Sequence, residues 1–164
     1  MKLRQQLMLI SAVAVISVMP AFAQVEKAAM KTTGISCGTC AAVSEVYLRQ
    51  LAGIDKISIS LSKEAIMVSY KPGAAFQPKQ LRDALKKTDV GVVQLQISAR
   101  GRLQEQDGKR FFVAGSDKFL VVSSADSPLV PANTTVAVEG ILNDRLDPMQ
   151  LKILSVKPVK QENR

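Results

Sequence analysis

The stretch EKAAMKTTGISCGTCAAVSEVYLRQLAG, Glu26–Gly53, changes its hydrophobic period in the middle. In its first part Ala28, Met30 and Thr32 alternate with Ala29, Lys31 and Thr33, the period-two pattern of a strand. In its second part Ala42, Val43, Val46, Tyr47, Gln50 and Leu51 recur at helical spacing as a mostly apolar stripe, with Gly53 placed to cap the helix end. Between the two lies the loop SCGT. It holds Cys37, and Cys40 follows it; these are the only cysteines, in a chain without histidine. The pattern puts Cys37 in the loop after a strand and Cys40 at the start of a helix, with both sulfurs at one exposed spot. A helix N-terminus favours negative charge, so the Cys40 thiol is expected to have a lowered pKa. That serves a redox pair and a metal-binding pair of thiolates equally well. A purely structural bridge is the weakest option, because so short a loop restricts the unfolded chain little.

The pattern continues outward. IDKISISLS, Ile54–Ser62, alternates as a half-buried strand, and AIMVSYK, Ala65–Lys71, returns with Ile66, Val68 and Tyr70 on one face. QPKQLRDALKKT predicts a helix with Pro78 in its first turn, Leu81 and Leu85 inward, and Lys86 and Lys87 at its end. VGVVQLQIS is a last strand. Strand, helix, strand, strand, helix, strand is the split βαβ order, so residues 24–95 are expected to form a ferredoxin-like α+β unit with both helices on one face. Met30 and Met67 occupy apolar-pattern positions and are expected in the core.

Residues 96–159 read differently. ISARGRLQE, KRFFVAG, KFLVVSS, TTVAVEGIL and LKILSVKPV are strand-like runs, with turn signals at Gln106-Asp107-Gly108 and Gly115-Ser116-Asp117. Five short strands and little helix predict a small all-β barrel of oligomer-binding (OB-like) type. VVQLQISARG runs from one unit into the next without a linker, so the two are expected to share or abut a strand. Phe111, Phe112 and Phe119 fall on adjacent strands and read as core rather than as a base-stacking platform. Asp144 and Asp147 flank a turn, Asp147 before Pro148, and turn chemistry accounts for both. Met149 follows in the same loop and is open to solvent. Residues 160–164 form a loose tail.

Residues 1–23 have the features of a secretory signal. Lys2 and Arg4 precede a 12-residue apolar run, LMLISAVAVISV, too short to span a bilayer comfortably, and Ala21-Phe22-Ala23 has the small-x-small cleavage pattern. Cleavage after Ala23 leaves Gln24 first and lowers the formal charge from +8 to +6. No later stretch is long and apolar enough to span a membrane. The chain is therefore expected in a periplasm. There thiols persist only if a reductant or a metal protects them. The remaining charges are interspersed, and export argues against nucleic acid as a partner. Glycine-rich phosphate loops, nucleophile elbows and histidine-based constellations are missing, so no enzyme chemistry is expected.

In the thioredoxin type of redox site a tryptophan usually precedes the first cysteine, where this chain has Ser36, and the element order differs. The match is better elsewhere. GISCGTC, the helix, Gly53-Ile54, a strand, the SKE turn, AIMVSYKP, a second helix ending LKKT and a last strand together resemble the heavy-metal-associated domain family. That family includes copper chaperones, metal-pumping ATPases and periplasmic mercury-scavenging proteins, and the resemblance covers about residues 28–95. It implies that Cys37 and Cys40 bind one soft metal ion and pass it to a metal-transporting or metal-accepting protein. Two thiolates without histidine suit Cu(I) first and Hg(II) second. Zn(II), which prefers four ligands, comes third. Two departures stand out. Ile35 replaces the family's usual methionine beneath the loop. The run Thr88-Asp89-Val90-Gly91 lacks the aromatic or lysine that normally lies near the ion, with Lys86 or Lys87 as substitutes if they are not simply helix-end charges.

Overall fold

The computed structural model describes residues 23–159. The signal read in residues 1–23 therefore lies outside it but for Ala23, as does the tail at 160–164. Among the described residues no helix is long and apolar enough to cross a membrane.

The elements are β1 (Gln24–Thr33), α1 (Gly38–Arg49), β2 (Ile54–Ser60), β3 (Ala65–Tyr70), α2 (Pro78–Lys86), β4 (Gly91–Gln106), β5 (Lys109–Ala114), β6 (Asp117–Val121), β7 (Thr135–Asn143) and β8 (Gln150–Pro158). The first four strands lie in the order β2-β3-β1-β4, all antiparallel. With the two helices between them, this is the ferredoxin-like arrangement expected from the sequence. The sheet continues through β4 into β5, β6, β8 and β7, and β7 pairs back onto β4. The last five strands thus close into a barrel, with β6 and β8 parallel and the other pairs antiparallel. The fold is α+β, mostly strand, with a closed β-barrel.

β4 belongs to both parts. Its residues 91–100 pair with β1, and 102–106 pair with β5 along the same edge. Its other edge pairs with β7 over 95–102. Position 95/96, where the composition shifts, lies inside this strand. Leu95, Ile97, Ala99, Gly101 and Leu103 alternate as buried positions, so one face of the strand runs from beneath the helices into the barrel interior. Where β1 gives way to β5, a Cβ on Gly101 would sit 2.1 Å from the Val113 carbonyl oxygen. Only glycine allows that approach. The hairpin to β5 turns on Asp107 and Gly108, both at positive φ (53° and 70°), the signature of a two-residue type I′ turn.

A single buried cluster runs through both parts. Met30, Ile66, Val68 and Leu81 fill it beneath the helices, and Phe112, Phe119, Leu151 and Ile153 fill the barrel. Phe76, in the segment between β3 and α2, bridges them, edge-on to Tyr70 at 5.8 Å and to Phe119 at 6.2 Å. The three phenylalanines behave as expected: Phe112 and Phe119 are fully buried, and Phe111 is half-buried under the Lys118 ammonium. A polar clamp adds to this. Arg82 of α2 forms a bidentate pair with Asp144 after β7, at 2.6 and 2.7 Å, and also donates to the Val92 carbonyl at 2.9 Å. Asp144 is therefore more than a turn residue. Burial alone would raise its carboxyl pKa; the hydrogen bonds and charge of Arg82 outweigh that and hold it below the ordinary value.

Four local expectations need correction. The buried side of α1 is Ser44 and Leu48, flanked by half-buried Ala41, Tyr47 and Leu51, while Val43 and Val46 face solvent. The period was right and the face was rotated, because a small hydrogen-bonded serine hides inside. α1 ends at the Gln50 cap, and Gly53 instead turns the chain into β2 at φ +82°. Met67 points away from the helices on β3 and is exposed, whereas Met30 is buried as expected. Met149 is half-buried against the barrel core, and its carbonyl accepts from Leu120 N at 2.8 Å.

Substituting Gly101→Val should lower stability by about 2 kcal/mol or more. Because β4 serves both parts, fluorescence and backbone circular dichroism should report one shifted thermal transition rather than two. At the junction, Asp117 opens β6. Burial raises its carboxyl pKa to about 6 although Phe76 N–H donates to it. A raised carboxyl favours the folded state once protonated, so its contribution is full below about pH 4 and lost as pH rises through about 6. The melting temperature should therefore fall between pH 5 and pH 7.5 in the native chain. It should fall less in Asp117→Asn.

Candidate metal centre

The loop between β1 and α1 is held by its own backbone. Gly34 sits at φ +88°, and a Cβ there would lie 2.7 Å from the Asp89 carbonyl oxygen. The loop therefore packs backbone to backbone against the turn after α2. Ile35 is fully buried beneath it. Ser36 and Cys37 are exposed, and Cys40 is half-buried.

The helix begins at Gly38, two residues earlier than expected. Cys37 is its N-cap, in extended conformation, and its sulfur accepts the Cys40 backbone N–H at 3.1 Å. Its carbonyl accepts Ala41 N at 3.0 Å, the first bond of the helix. The helix N-terminus therefore acts most directly on the Cys37 sulfur rather than on Cys40. No acidic residue lies in the first turn to oppose it. The Cα atoms of Cys37 and Cys40 are 5.2 Å apart, and the two sulfurs are joined in a disulfide. Opening it takes two electrons and two protons from a dithiol reductant and yields two thiols at one exposed point.

The turn after α2 supports α1 as well as the loop. Ser44 donates its hydroxyl to Thr88 Oγ1 at 2.8 Å, and Thr88 in turn donates to the Leu85 carbonyl at 2.9 Å. Ser44 lies one turn beyond Cys40, so this chain fixes α1 against α2 just below the sulfurs. Nothing in the sequence pattern singled out Ser44; its place one helical turn from a cysteine on a small-residue helix was the available signal. Of the two candidate lysines, Lys87 lies over the Tyr47 ring, 5.1 Å from its centroid, and Lys86 is exposed at the helix end.

Among the described residues no group of three or more His, Cys, Asp or Glu side chains could hold a metal ion. An ion at this place would have two protein ligands, both sulfur. That donor set fits a soft ion content with low coordination, and it leaves a hard or four-coordinate ion short of ligands.

No family model matches the chain, and no curated protein matches it. Similar solved structures include the CopZ metallochaperone, 24% identical over 41% of this chain and 98% of that one, with a TM-score of 0.38. The N-terminal domain of ZntA in the apo form is 25% identical over 44% of this chain and 90% of that one, TM-score 0.38. The yeast copper transporter domain Ccc2a is 20% identical over 42% and 94%, TM-score 0.36. Each match spans nearly all of a small structure and less than half of this chain.

Replacing Gly34 by valine would strain a left-handed backbone position and push on Asp89. Stability should fall by about 2 kcal/mol. Because this contact positions the loop, reduced Gly34→Val should also show faster alkylation at Cys40 than the parent, measured by mass spectrometry.

Proposed function

We propose that this chain is an exported carrier of one soft metal ion, held between the thiolates of Cys37 and Cys40 and handed on by ligand exchange. The observation that carries this reading is the pair itself: two sulfurs at the exposed junction of strand and helix, with a backbone N–H on one of them and no third donor among the described residues. Cu(I) is the ion this donor set suits best, Hg(II) the next, and Zn(II) the least. In transfer, a partner thiolate forms a bond to the ion as one of the two Cys–ion bonds breaks, so the ion is never free. The acceptor is a metal-transporting or metal-accepting protein. The chain acts as a binding protein and not as an enzyme.

The finer architecture fits the same reading. Residues 24–95 act as a heavy-metal-associated unit, and 96–159 act as an OB-like barrel, whose Greek-key strand order β4-β5-β6-β8-β7 supports the name. The signal at residues 1–23 delivers the chain to the periplasm. A second reading is favoured by one feature, the disulfide between the two cysteines. The pair could then serve thiol–disulfide exchange without any metal.

The test is a Cu(I) titration of the reduced chain from Gln24 onward, without oxygen, against a competing chelator. One ion per chain is expected, bound only when reduced and lost in Cys37→Ser/Cys40→Ser. Disulfide turnover with a model substrate in the absence of metal, together with weak Cu(I) binding, would support the redox reading instead.

A further inference from the structure

β4 has β1 along one edge and β7 along the other, so six strands run side by side in the order β2-β3-β1-β4-β7-β8. The helices and the barrel interior take one side of this sheet. The strand register shows which residues share the other side, because residues opposed in a ladder point the same way. Lys27, Ala29 and Lys31 of β1 lie opposite Ser69, Met67 and Ala65 of β3. Lys56 and Ser58 of β2 lie opposite the same Ser69 and Met67. Met67, 45% exposed, therefore has three lysines as its diagonal neighbours, Lys27, Lys31 and Lys56. Val93 is the extra residue at the register shift beside Lys31, and it is 61% exposed. The same side continues past Ser98 and Arg100 of β4 to Glu139 of β7, then to Lys152, Ser155 and Lys157 of β8.

The charge on this face is unequal. Six cations, Lys27, Lys31, Lys56, Arg100, Lys152 and Lys157, stand against Glu26, Asp55 and Glu139. Two of the carboxylates are taken: Glu26 pairs with Arg100 at 2.8 Å and Glu139 with Lys157 at 3.8 Å. Lys27, Lys31, Lys56 and Lys152 are exposed, and among the described residues none of them forms an ion pair. A groove of about 190 Å³ opens between β1, β4, β7 and β8, with the Lys27 ammonium and the Ser98 hydroxyl at its wall.

These features select a partner. Tyr70, the one aromatic residue on the six strands, is buried, so the face has no platform on which nucleic-acid bases could stack. Carboxylates of an acidic protein are gripped best by guanidinium forks, and the one arginine here is held by Glu26. Free lysines around protruding aliphatic side chains suit a phospholipid surface. Its phosphates attract the ammoniums, and the aliphatic tips enter the headgroup layer.

We propose that this open sheet face docks the protein on an anionic phospholipid bilayer through Lys27, Lys31 and Lys56 around Met67 and Val93, with Lys152 extending the contact along β8. Neither cysteine belongs to the face. Gly34–Cys37 follow the end of β1, so the cysteine loop lies at the rim, and the docking holds whichever chemistry the cysteines perform. Attraction is electrostatic first, so it weakens steeply with salt.

The test is sedimentation of the chain from Gln24 onward, without the apolar run of residues 7–18, with two kinds of vesicle. One mixes phosphatidylglycerol with phosphatidylcholine; the other is phosphatidylcholine only. Binding to the mixed vesicles should be about tenfold stronger or more, and should be lost at high salt. Lys27→Gln/Lys31→Gln/Lys56→Gln should weaken it about tenfold. Lys79→Gln/Lys109→Gln/Lys118→Gln removes as many charges from α2, β5 and β6 and should leave it nearly unchanged. Met67→Ser should weaken it about threefold while thermal unfolding followed by circular dichroism stays that of the parent. Equal binding to both kinds of vesicle, or equal losses in the two triple variants, would overturn the proposal. Stronger binding to polyglutamate than to the vesicles would point to an acidic protein instead and overturn it too. So would release by inorganic phosphate beyond that given by chloride at the same ionic strength, since the lysines would then hold a free anion.

Discussion

One face of β4 carries the whole structure. Leu95, Ile97, Ala99, Gly101 and Leu103 point the same way along the middle of this sixteen-residue strand, so the side that lies under the helices is also the side that lines the barrel. A slip of one residue would expose all of them at once. The pairing of β4 with β1, β5 and β7 is therefore fixed by burial as much as by hydrogen bonds. Gly101 marks the point where two strands, β1 and β5, meet along a single edge. A side chain there would hold them apart.

The metal centre inherits this rigidity through short contacts. The cysteine loop leans on the turn after α2 through Gly34 and Asp89, and α1 leans on it through Ser44 and Thr88. α2 is in turn clamped to the barrel through Arg82 and Asp144. A hydrogen-bonded and packed route thus runs from the barrel to the helix that Cys37 caps. Such continuity accounts for a loop that is well positioned although its cysteines face solvent. The pH behaviour of the two aspartates follows from their surroundings. Asp144 is paired and favours folding when charged. Asp117, buried beside Tyr70 and Phe76 with one backbone donor, favours it when neutral.

Much of this was legible in the sequence because its periods are clean. Ala28, Met30 and Thr32, then Ile66, Val68 and Tyr70, and Leu81 and Leu85 all lie on the faces their spacing indicates. The turns at Asp107-Gly108 and Gly115-Ser116 follow from residues that tolerate positive φ. Reading failed where polarity misled it. Ser44 is buried because its hydroxyl finds Thr88, which no periodicity reveals. Val43, Val46 and Met67 look like core and are not, since hydrophobic residues are inside only when another element covers them.

By itself the sequence determined the order of elements, the linker-free passage from one part to the other and the placement of Cys37 and Cys40 at a strand–helix junction. These are local properties, set by period, turn chemistry and spacing along the chain. Only the tertiary structure decided which face of α1 is buried and that Asp144 clamps α2. Each of these depends on residues far apart in sequence meeting in space, and that meeting is fixed by how the layers pack.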